Sequence, residues 1–174
     1  MMETDAMQEE IIRIDGGKFL TFQLKGEEYG LEILKVREII GLMDITTVPQ
    51  TPAYVQGVIN LRGQVIPVID LRLKFGIDKE NYNNKTCIIV VDVNDVLMGI
   101  AVDTVSEVVD INSENIEGTP SFGSKINTNY ILGMGKVEGK VKILLAIDKV
   151  LTSEELVLME EMQTDGANGG EDAG

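Results

Sequence analysis

Histidine is absent from the 174 residues of the chain, and this absence excludes several kinds of chemistry. Without imidazole the chain has no Ser-His or Cys-His nucleophilic pair, no histidine general base and no histidine metal ligand. Cysteine occurs once, as Cys87. A lone thiol forms no internal disulfide, which favours a reducing cytoplasm, and the apolar run "CIIVVDV" around Cys87 predicts a buried, structural cysteine.

Positive charge is in short supply. The 15 Lys and Arg residues stand against 29 Asp and Glu residues, which gives a net charge of −14 at neutral pH. A protein that binds a nucleic-acid backbone or an anionic membrane surface needs clustered Lys and Arg, so the composition argues against both classes. Much of the acidity lies at the ends: residues 1–16 are expected to form a flexible acidic N-terminus, and residues 164–174 a disordered acidic tail.

Long apolar runs and catalytic motifs are missing too. No segment approaches the roughly 18 apolar residues of a membrane span, and the acidic N-terminus does not fit a signal peptide. There is no GxxxxGK(S/T) phosphate loop, no CxxC pair and no GxSxG nucleophile elbow. Asp92 with Asp95, and Asp103 with Glu107, could act as acid-base pairs, but so acidic a chain produces such pairs by chance. The sequence therefore predicts no enzyme, no cofactor and no bound metal.

What the sequence does contain is the alternation of apolar and polar residues that is typical of β-strands. Residues 18–25 and 29–33 alternate in this way and predict a hairpin. "VINLR" and "QVIPVIDL" predict two further strands, joined by a tight turn at Arg62-Gly63. The runs "VIPVI" and "CIIVV" are apolar at nearly every position, which predicts strands that are buried on both faces.

Three other segments have their own patterns. "ILKVREII" fits either a helical turn or a strand, and both readings stay open. "TPAYVQG" predicts a single helical turn with Thr51 as its cap. "TSEELVLMEEM" predicts a C-terminal helix, because Thr152 and Glu155 have the spacing of a capping box.

The strand pattern restarts in the second half of the chain. Residues 29–40 align with 98–109 at a constant offset of 69, and residues 57–63 align with 133–139 at an offset of 76. Chance similarity between Val- and Ile-rich strands is the alternative, but shared Gly and Glu positions favour an internal duplication. The pattern predicts an all-β protein with short helices, built from two small barrels over residues 17–80 and 81–151 and followed by a helix over 152–163.

The hairpin tip of the first repeat carries polar residues in an apolar segment. Asn60 and Arg62 align with Lys136 and Glu138, so the charges of the two tips differ while their glycines match. An exposed tip that accepts any polar residue explains this as well as a specialised surface does. If the blocks of the first repeat pack together, Arg62 and Glu38 form an ion pair, whereas the second repeat brings two carboxylates together.

The same segment carries a family resemblance. "GVINLRGQVIPVIDLR", residues 57–72, closely resembles the signature of the bacterial chemotaxis coupling protein family, CheW. The resemblance runs from about Phe19 to Leu151 and includes "VREII", "TTVPQTPAYVQG" and "GIAVDTVSEV" in the family order. It implies two five-stranded SH3-like barrels packed on each other, in agreement with the duplication.

The resemblance also implies a function. Members of the family are non-catalytic adaptors that couple the cytoplasmic helical hairpin tips of chemoreceptors to the histidine kinase CheA, whose regulatory domain has the same fold. The protein is then expected in the cytoplasm, recruited to membrane-associated receptor arrays, with the receptor helix in the groove between the barrels. The positions that match residues of the family that bind partners or shape the binding surface are Val36, Glu38, Gly57, Asn60, Arg62, Gly63, Gly99 and Val102.

Two other functions remain open on the residues alone. One is a small-molecule-binding or hydrolytic β-barrel protein with a pocket between the barrels. The other is a structural subunit of an unrelated assembly. The missing catalytic set favours the adaptor over both.

Overall fold

A computed structural model describes residues 16–78, 80–118 and 129–173, with side chains described as far as Gln163. Apart from Gly16, the predicted acidic N-terminus lies outside these residues. The strands are β1 Gly17–Leu24, β2 Glu27–Glu32, β3 Val36–Gly41, β4 Val55–Leu61, β5 Gln64–Asp70, β6 Cys87–Val93, β7 Val96–Val102, β8 Thr104–Ile111, β9 Ile116–Glu117, β10 Ile131–Val137 and β11 Lys140–Leu145. The helices are α1 Leu71–Lys74, α2 Ile147–Val150 and α3 Ser153–Ala173.

The strands form two sheets. We call the six-stranded sheet, in the order β8-β1-β2-β11-β10-β9, barrel 1, and the five-stranded sheet, in the order β3-β6-β7-β5-β4, barrel 2. The predicted all-β fold with two packed barrels, short helices and a C-terminal helix is confirmed. Barrel 1 has six strands instead of the expected five because the two-residue strand β9 adds to its edge.

The two repeats exchange strands. The hairpin β1–β2 of the first repeat joins β8, β9, β10 and β11 of the second, while the hairpin β6–β7 of the second joins β3, β4 and β5 of the first. The predicted boundary between residues 80 and 81 therefore separates two repeats that each contribute to both sheets. As a division into domains, 17–80 and 81–151 stays a prediction.

Matching registers in the two sheets support the duplication. In barrel 1 Gly30 lies opposite Leu144 in a parallel pair, and in barrel 2 Gly99 lies opposite Val68 in the same kind of pair. These residues are related by the offsets of 69 and 76 that the sequence predicts. Both sheets also have a register shift at equivalent places, between Leu20 and Phe22 in β1–β8 and beside Val36 in β3–β6.

The core has one shared layer and two smaller interiors. The shared layer contains residues of both barrels, among them Leu20, Phe22, Leu24, Leu31, Ile69, Leu71, Ile89, Val91, Met98, Ile100 and Leu145. The interior of barrel 2 contains Ile59, Ile66, Val68, Ile88, Val90 and Ala101, and that of barrel 1 contains Phe19, Ile111, Ile116 and Leu144. Successive residues of β6 therefore face different clusters, which confirms that this strand and β5 are buried on both faces.

Several local expectations need correction. "ILKVREII" forms both of the structures considered, a 3-10 turn at Ile33–Lys35 and then β3. "TPAYVQG" does not form a helical turn, because pairing with β5 draws the chain into β4 from Val55 onward, and the Thr51 hydroxyl donates to the Val48 carbonyl instead of capping a helix. Cys87 is half-buried and not fully buried, because it opens β6 at the end of the sheet.

The C-terminal helix begins as predicted, but it runs past residue 163 to Ala173, into the segment 164–174 that was expected to form a disordered tail. The Glu155 amide donates to Thr152 Oγ1 at 3.1 Å and the Thr152 amide donates to Glu155 Oε1 at 2.8 Å, so the capping box is confirmed. Lys74 Nζ donates to both carboxylate oxygens of Glu155, at 2.9 and 2.8 Å. Met159 and Met162 then pack against the shared layer.

No helix of the described part of the chain is both long and apolar enough to cross a membrane.

We predict that Glu155 makes the docking of α3 dependent on pH. Burial raises the pKa of Glu155, but the hydrogen bonds from Lys74 and the Thr152 amide outweigh burial and hold the pKa at about 2, below its ordinary value of 4.5. The stabilisation is therefore present above pH 4.5 and is lost as the pH falls towards 2. E155Q should lower the free energy of unfolding at neutral pH by about 1–3 kcal/mol, measured by urea denaturation.

The same titration provides the control. The difference between parent and E155Q should shrink as the pH falls from 4.5 towards 2, because the parent carboxylate then takes up a proton. E154Q, which changes an exposed neighbour on the same helix, should leave stability within about 0.5 kcal/mol of the parent. A constant difference between parent and E155Q at all pH values would contradict the role of the charge.

Candidate partner-binding surface

Most of the predicted site lies at one end of barrel 2. β3 and β4 are the two edge strands of this sheet, and six of the eight predicted residues lie on them or on the β4–β5 turn. The six are Val36, Glu38, Gly57, Asn60, Arg62 and Gly63. The fold therefore brings together residues that are up to 27 positions apart in sequence.

The predicted ion pair between Arg62 and Glu38 is confirmed. Arg62 Nη2 donates to Glu38 Oε1, which joins the β4–β5 turn to the opposite edge strand. The Arg62 side chain is 71% exposed and that of Glu38 is 31% exposed, so solvent screens the pair. Such a pair contributes about 0–1 kcal/mol to stability, and its main effect is to orient two charged side chains on the surface.

The turn that carries Arg62 has a defined geometry. Arg62 has φ 53° and Gly63 has φ 88°, which is the left-handed pair of a type I′ turn. The Gly63 amide donates to Asn60 Oδ1 at 2.8 Å. Asn60 therefore holds the turn, a role that the sequence reasoning missed and that the Asn-x-x-Gly spacing could have indicated.

Gly57 shapes the surface through the backbone. Its φ is 143°, and a Cβ atom there would lie 2.1 Å from the Thr46 carbonyl oxygen. Thr46 and Val58 exchange two backbone hydrogen bonds beside it, at 2.8 and 2.9 Å. Only glycine allows the segment before β4 to approach the strand this closely.

The remaining predicted residues are less accessible. Gly99 is buried within barrel 2, where a Cβ atom would lie 2.6 Å from Ile88 Cγ2. Val102 is buried in the shared layer, and Val36 packs against that layer from its edge while staying partly exposed. Gly99 and Val102 thus lie in the packing and Val36 at its edge, and a role of any of the eight residues in partner binding stays a prediction.

The end of barrel 2 forms a shallow recess of about 410 Å³. Leu61, Ile66, Val90 and Leu97 form its apolar part, and its polar rim consists of Arg37, Glu38, Arg62 and Gln64. Arg37 Nη2 donates to Asp92 Oδ2 at 2.8 Å, and this hydrogen bond, which outweighs burial, lowers the pKa of Asp92. The recess thus combines an apolar floor with a polar rim that carries two guanidinium groups.

The equivalent end of barrel 1 has a different chemistry. At the repeat offsets, Ile66, Val90 and Leu97 correspond to Lys142, Thr21 and Glu28. Lys142 forms a largely buried ion pair with Glu28, and burial lowers the pKa of Lys142. Glu138 and Glu107, which replace Arg62 and Glu38, are both exposed. Of the two barrel ends, as far as the structure describes them, the barrel 2 end is the one with an apolar recess closed by an ion pair.

The carboxylate pairs considered for catalysis serve other purposes. The Asp95 amide donates to Asp92 Oδ1 at 3.0 Å, which stabilises the β6–β7 turn. Asp103 contacts Arg72, while Glu107 is exposed. Within the described ranges no three His, Cys, Asp or Glu residues are placed to hold a metal ion.

We predict that Gly57→Ala destabilises the site and the fold together. The added Cβ meets the Thr46 carbonyl and the backbone is strained at φ 143°, so the free energy of unfolding should fall by about 2–4 kcal/mol in urea denaturation. Gly41→Ala is the matched control, because a Cβ at that edge-strand position meets nothing within 4 Å. It should change stability by no more than about 0.5 kcal/mol, and equal effects of the two substitutions would refute the close approach.

Comparison with known proteins identifies the family. A family model described as CheW-like domain matches residues 18–155. The chemotaxis protein CheW of Klebsiella aerogenes is 41% identical over 147 residues, which cover 84% of this chain and 89% of that protein. The chemotaxis protein CheW of Thermotoga maritima is 34% identical over 144 residues, which cover 81% of this chain and 90% of that protein.

A solved structure agrees with these sequences. The crystal structure of the scaffolding protein TtCheW from Thermoanaerobacter tengcongensis superposes with a TM-score of 0.72 at 37% sequence identity. The match covers 78% of this chain and 92% of that one. The two packed barrels and the matched sequences lead to one conclusion: the chain belongs to the CheW-like domain family.

Proposed function

We propose that this chain couples the cytoplasmic tips of chemoreceptors to the histidine kinase CheA in signalling arrays. Membership of the CheW-like family makes the chain a non-catalytic adaptor of chemotaxis, and the Thermoanaerobacter relative is described as a scaffolding protein. The observation that carries the proposal is the barrel 2 end, where Arg62 and Glu38 pair across an apolar recess at positions that the family resemblance had singled out.

An adaptor needs two different surfaces on one rigid body. The chain offers them because its repeats share a core but differ at their ends: barrel 2 has the recess, and barrel 1 has Lys142 and Glu28. We assign one of these two barrel ends to the regulatory domain of the kinase. We assign the receptor hairpin to the groove between the barrels, as the family resemblance implies. Recruitment from the cytoplasm to membrane-associated arrays is part of the same proposal.

The eight predicted residues divide into two groups under this proposal. Glu38, Asn60 and Arg62 present polar groups at the surface, and Val36 adds apolar area beside them. The glycines and Val102 set the backbone and the packing beneath that surface. Substitutions of Val36, Glu38 and Arg62 should weaken binding with little effect on folding. Substitution of Asn60 should also remove the hydrogen bond that holds the turn, and substitutions in the second group should affect folding first.

The alternative functions are not favoured. A small-molecule-binding or hydrolytic protein would need a pocket inside the interface between the barrels, and the shared apolar layer fills that interior. The proposed receptor groove lies at the surface of the same interface and needs no internal space. The family match over residues 18–155 likewise leaves no observation that favours a subunit of an unrelated assembly.

We predict that Arg62→Glu abolishes receptor control of the kinase while the protein stays folded. The substitution puts two carboxylates at the barrel 2 edge, and an exposed pair contributes only about 0–1 kcal/mol to stability. Binding to the regulatory domain of the kinase or to a receptor tip fragment should weaken by about tenfold or more. Pull-downs with each partner separately and with both together measure this loss.

Lys18→Glu is the matched control for this charge reversal. It breaks another exposed ion pair, between Lys18 and Asp110 on barrel 1, at 3.0 Å in the parent. It should leave binding and kinase control unchanged. The double variant R62E/E38R restores opposite charges and should recover part of the binding. Normal coupling by Arg62→Glu alone would remove the role proposed for Arg62.

A further inference from the structure

The chain passes between the two sheets at two equivalent crossovers. The 3-10 turn Ile33–Lys35 leads from β2 in barrel 1 to β3 in barrel 2, and Asp103 alone leads from β7 in barrel 2 to β8 in barrel 1. At the repeat offset of 69, Asp103 corresponds to Leu34. Leu34 is 93% exposed, whereas the Asp103 side chain is 23% exposed and lies among charged neighbours.

Asp103 contacts both barrels. On the side of barrel 1, its Oδ2 accepts from the Lys25 amide at 2.7 Å, and its own amide donates to the Gln23 carbonyl at 3.0 Å. On the side of barrel 2, its Oδ1 lies 3.2 Å from Nη1 of Arg72, on the helix α1 that follows β5. Since Asp103 Oδ1 accepts no hydrogen bond within the described residues, this contact with Arg72 is electrostatic.

Arg72 is itself held in place from several directions. Its side chain is 4% exposed, its Nη2 donates to the Glu80 carbonyl at 3.1 Å, and its Nε lies 3.5 Å from Asp70 Oδ1. The guanidinium lies over the ring of Tyr82, and the Tyr82 hydroxyl donates to Asp70 Oδ2 at 2.8 Å. Because these contacts fix the guanidinium of Arg72, the carboxylate of Asp103 can form the ion pair only when it lies at one particular place beside α1.

At the Leu34 crossover, the described residues do not form an equivalent arrangement. At the repeat offsets, Arg72 and Lys25 correspond to Asp148 and Asn94, both of them exposed. Leu34 replaces the acid itself. Among the described residues, the Asp103 crossover thus has an ion pair with Arg72, and the apolar Leu34 at the equivalent position cannot form one.

We infer that the ion pair between Asp103 and Arg72 fixes the orientation of the two barrels and thereby the surface that they present together. The shared apolar layer resists separation, but hydrophobic burial has no direction. The Asp103 contacts have direction and join specific points of the two barrels. Asp103 is thus a positioning residue for the adaptor. The inference rests on the proposed function, in which two partners bind to surfaces of one rigid body.

The test measures the orientation first. Spin labels at Gln64→Cys and Lys140→Cys, exposed and equivalent positions at the starts of β5 and β11, report the distance between barrels in a full-length Cys87→Ser background. The parent should give one narrow distance distribution. Asp103→Ala should broaden or shift it. An unchanged distribution would overturn the inference.

Two further variants separate orientation from stability. Asp103→Asn keeps an acceptor for the Lys25 amide and removes the charge, so it should fold and still broaden or shift the distribution. A parent-like distribution for Asp103→Asn would overturn the role of the ion pair. Leu144→Ala weakens the interior of barrel 1 without touching Asp103, and it should leave the distance unchanged. A shift in Leu144→Ala as large as that in Asp103→Asn would show that loss of stability alone moves the barrels, against the inference.

A second experiment measures binding to the kinase regulatory domain and to a receptor tip fragment. Asp103→Asn should bind each alone within about threefold of the parent, but form the complex with both about tenfold more weakly. Unchanged joint assembly beside an altered distance would overturn the functional part of the inference. If the parent binds neither partner, the proposed function fails, and the distance measurement still decides the positioning role.

Discussion

The apolar layer between the two exchanged hairpins is the constraint on which the rest of the molecule depends. Each hairpin, β1–β2 and β6–β7, contributes one face to its own barrel and the other face to this layer. Burial of apolar area contributes about 25 cal/mol per Å², and neither repeat can bury both faces of its strands without the other. The two barrels therefore form a single stability unit, even though each has an interior of its own.

This constraint also determines where the sequences of the two repeats can differ. Positions that face the shared layer must stay apolar in both repeats, so the repeats could diverge only at barrel ends, turns and crossovers. The differences are found there: an apolar recess with Arg62 and Glu38 at one end, and Lys142 with Glu28 at the other. Two unlike surfaces on one symmetric scaffold are what an adaptor between unlike partners requires.

Much of the fold could be predicted because strand periodicity and the repeat are visible in the sequence. The pairing of Arg62 with Glu38 could be predicted because the two residues have opposite charges and lie in the two matched blocks of the first repeat. The equivalent residues of the second repeat, Glu138 and Glu107, are both carboxylates. The exchange of strands could not be predicted, since alternation shows which face of a strand is buried and not which strand lies beside it. The contact of Asp103 with Arg72 depends on tertiary approach, which single-residue patterns do not encode, whereas the Asn-x-x-Gly spacing could have indicated the local hydrogen bond of Asn60.

The backbone at Arg62 has one more consequence. A φ of 53° places Arg62 in the left-handed region of the backbone. In this region the close approach of Cβ to the backbone costs an L-residue about 1 kcal/mol of conformational energy. Glycine would relieve this strain, and Glu138 at φ 50° shows that the second repeat keeps a charged residue in the same position. Both tips thus retain local strain in order to hold a charge at the apex of the hairpin, so the most stable sequence for this turn is not the one that the protein uses.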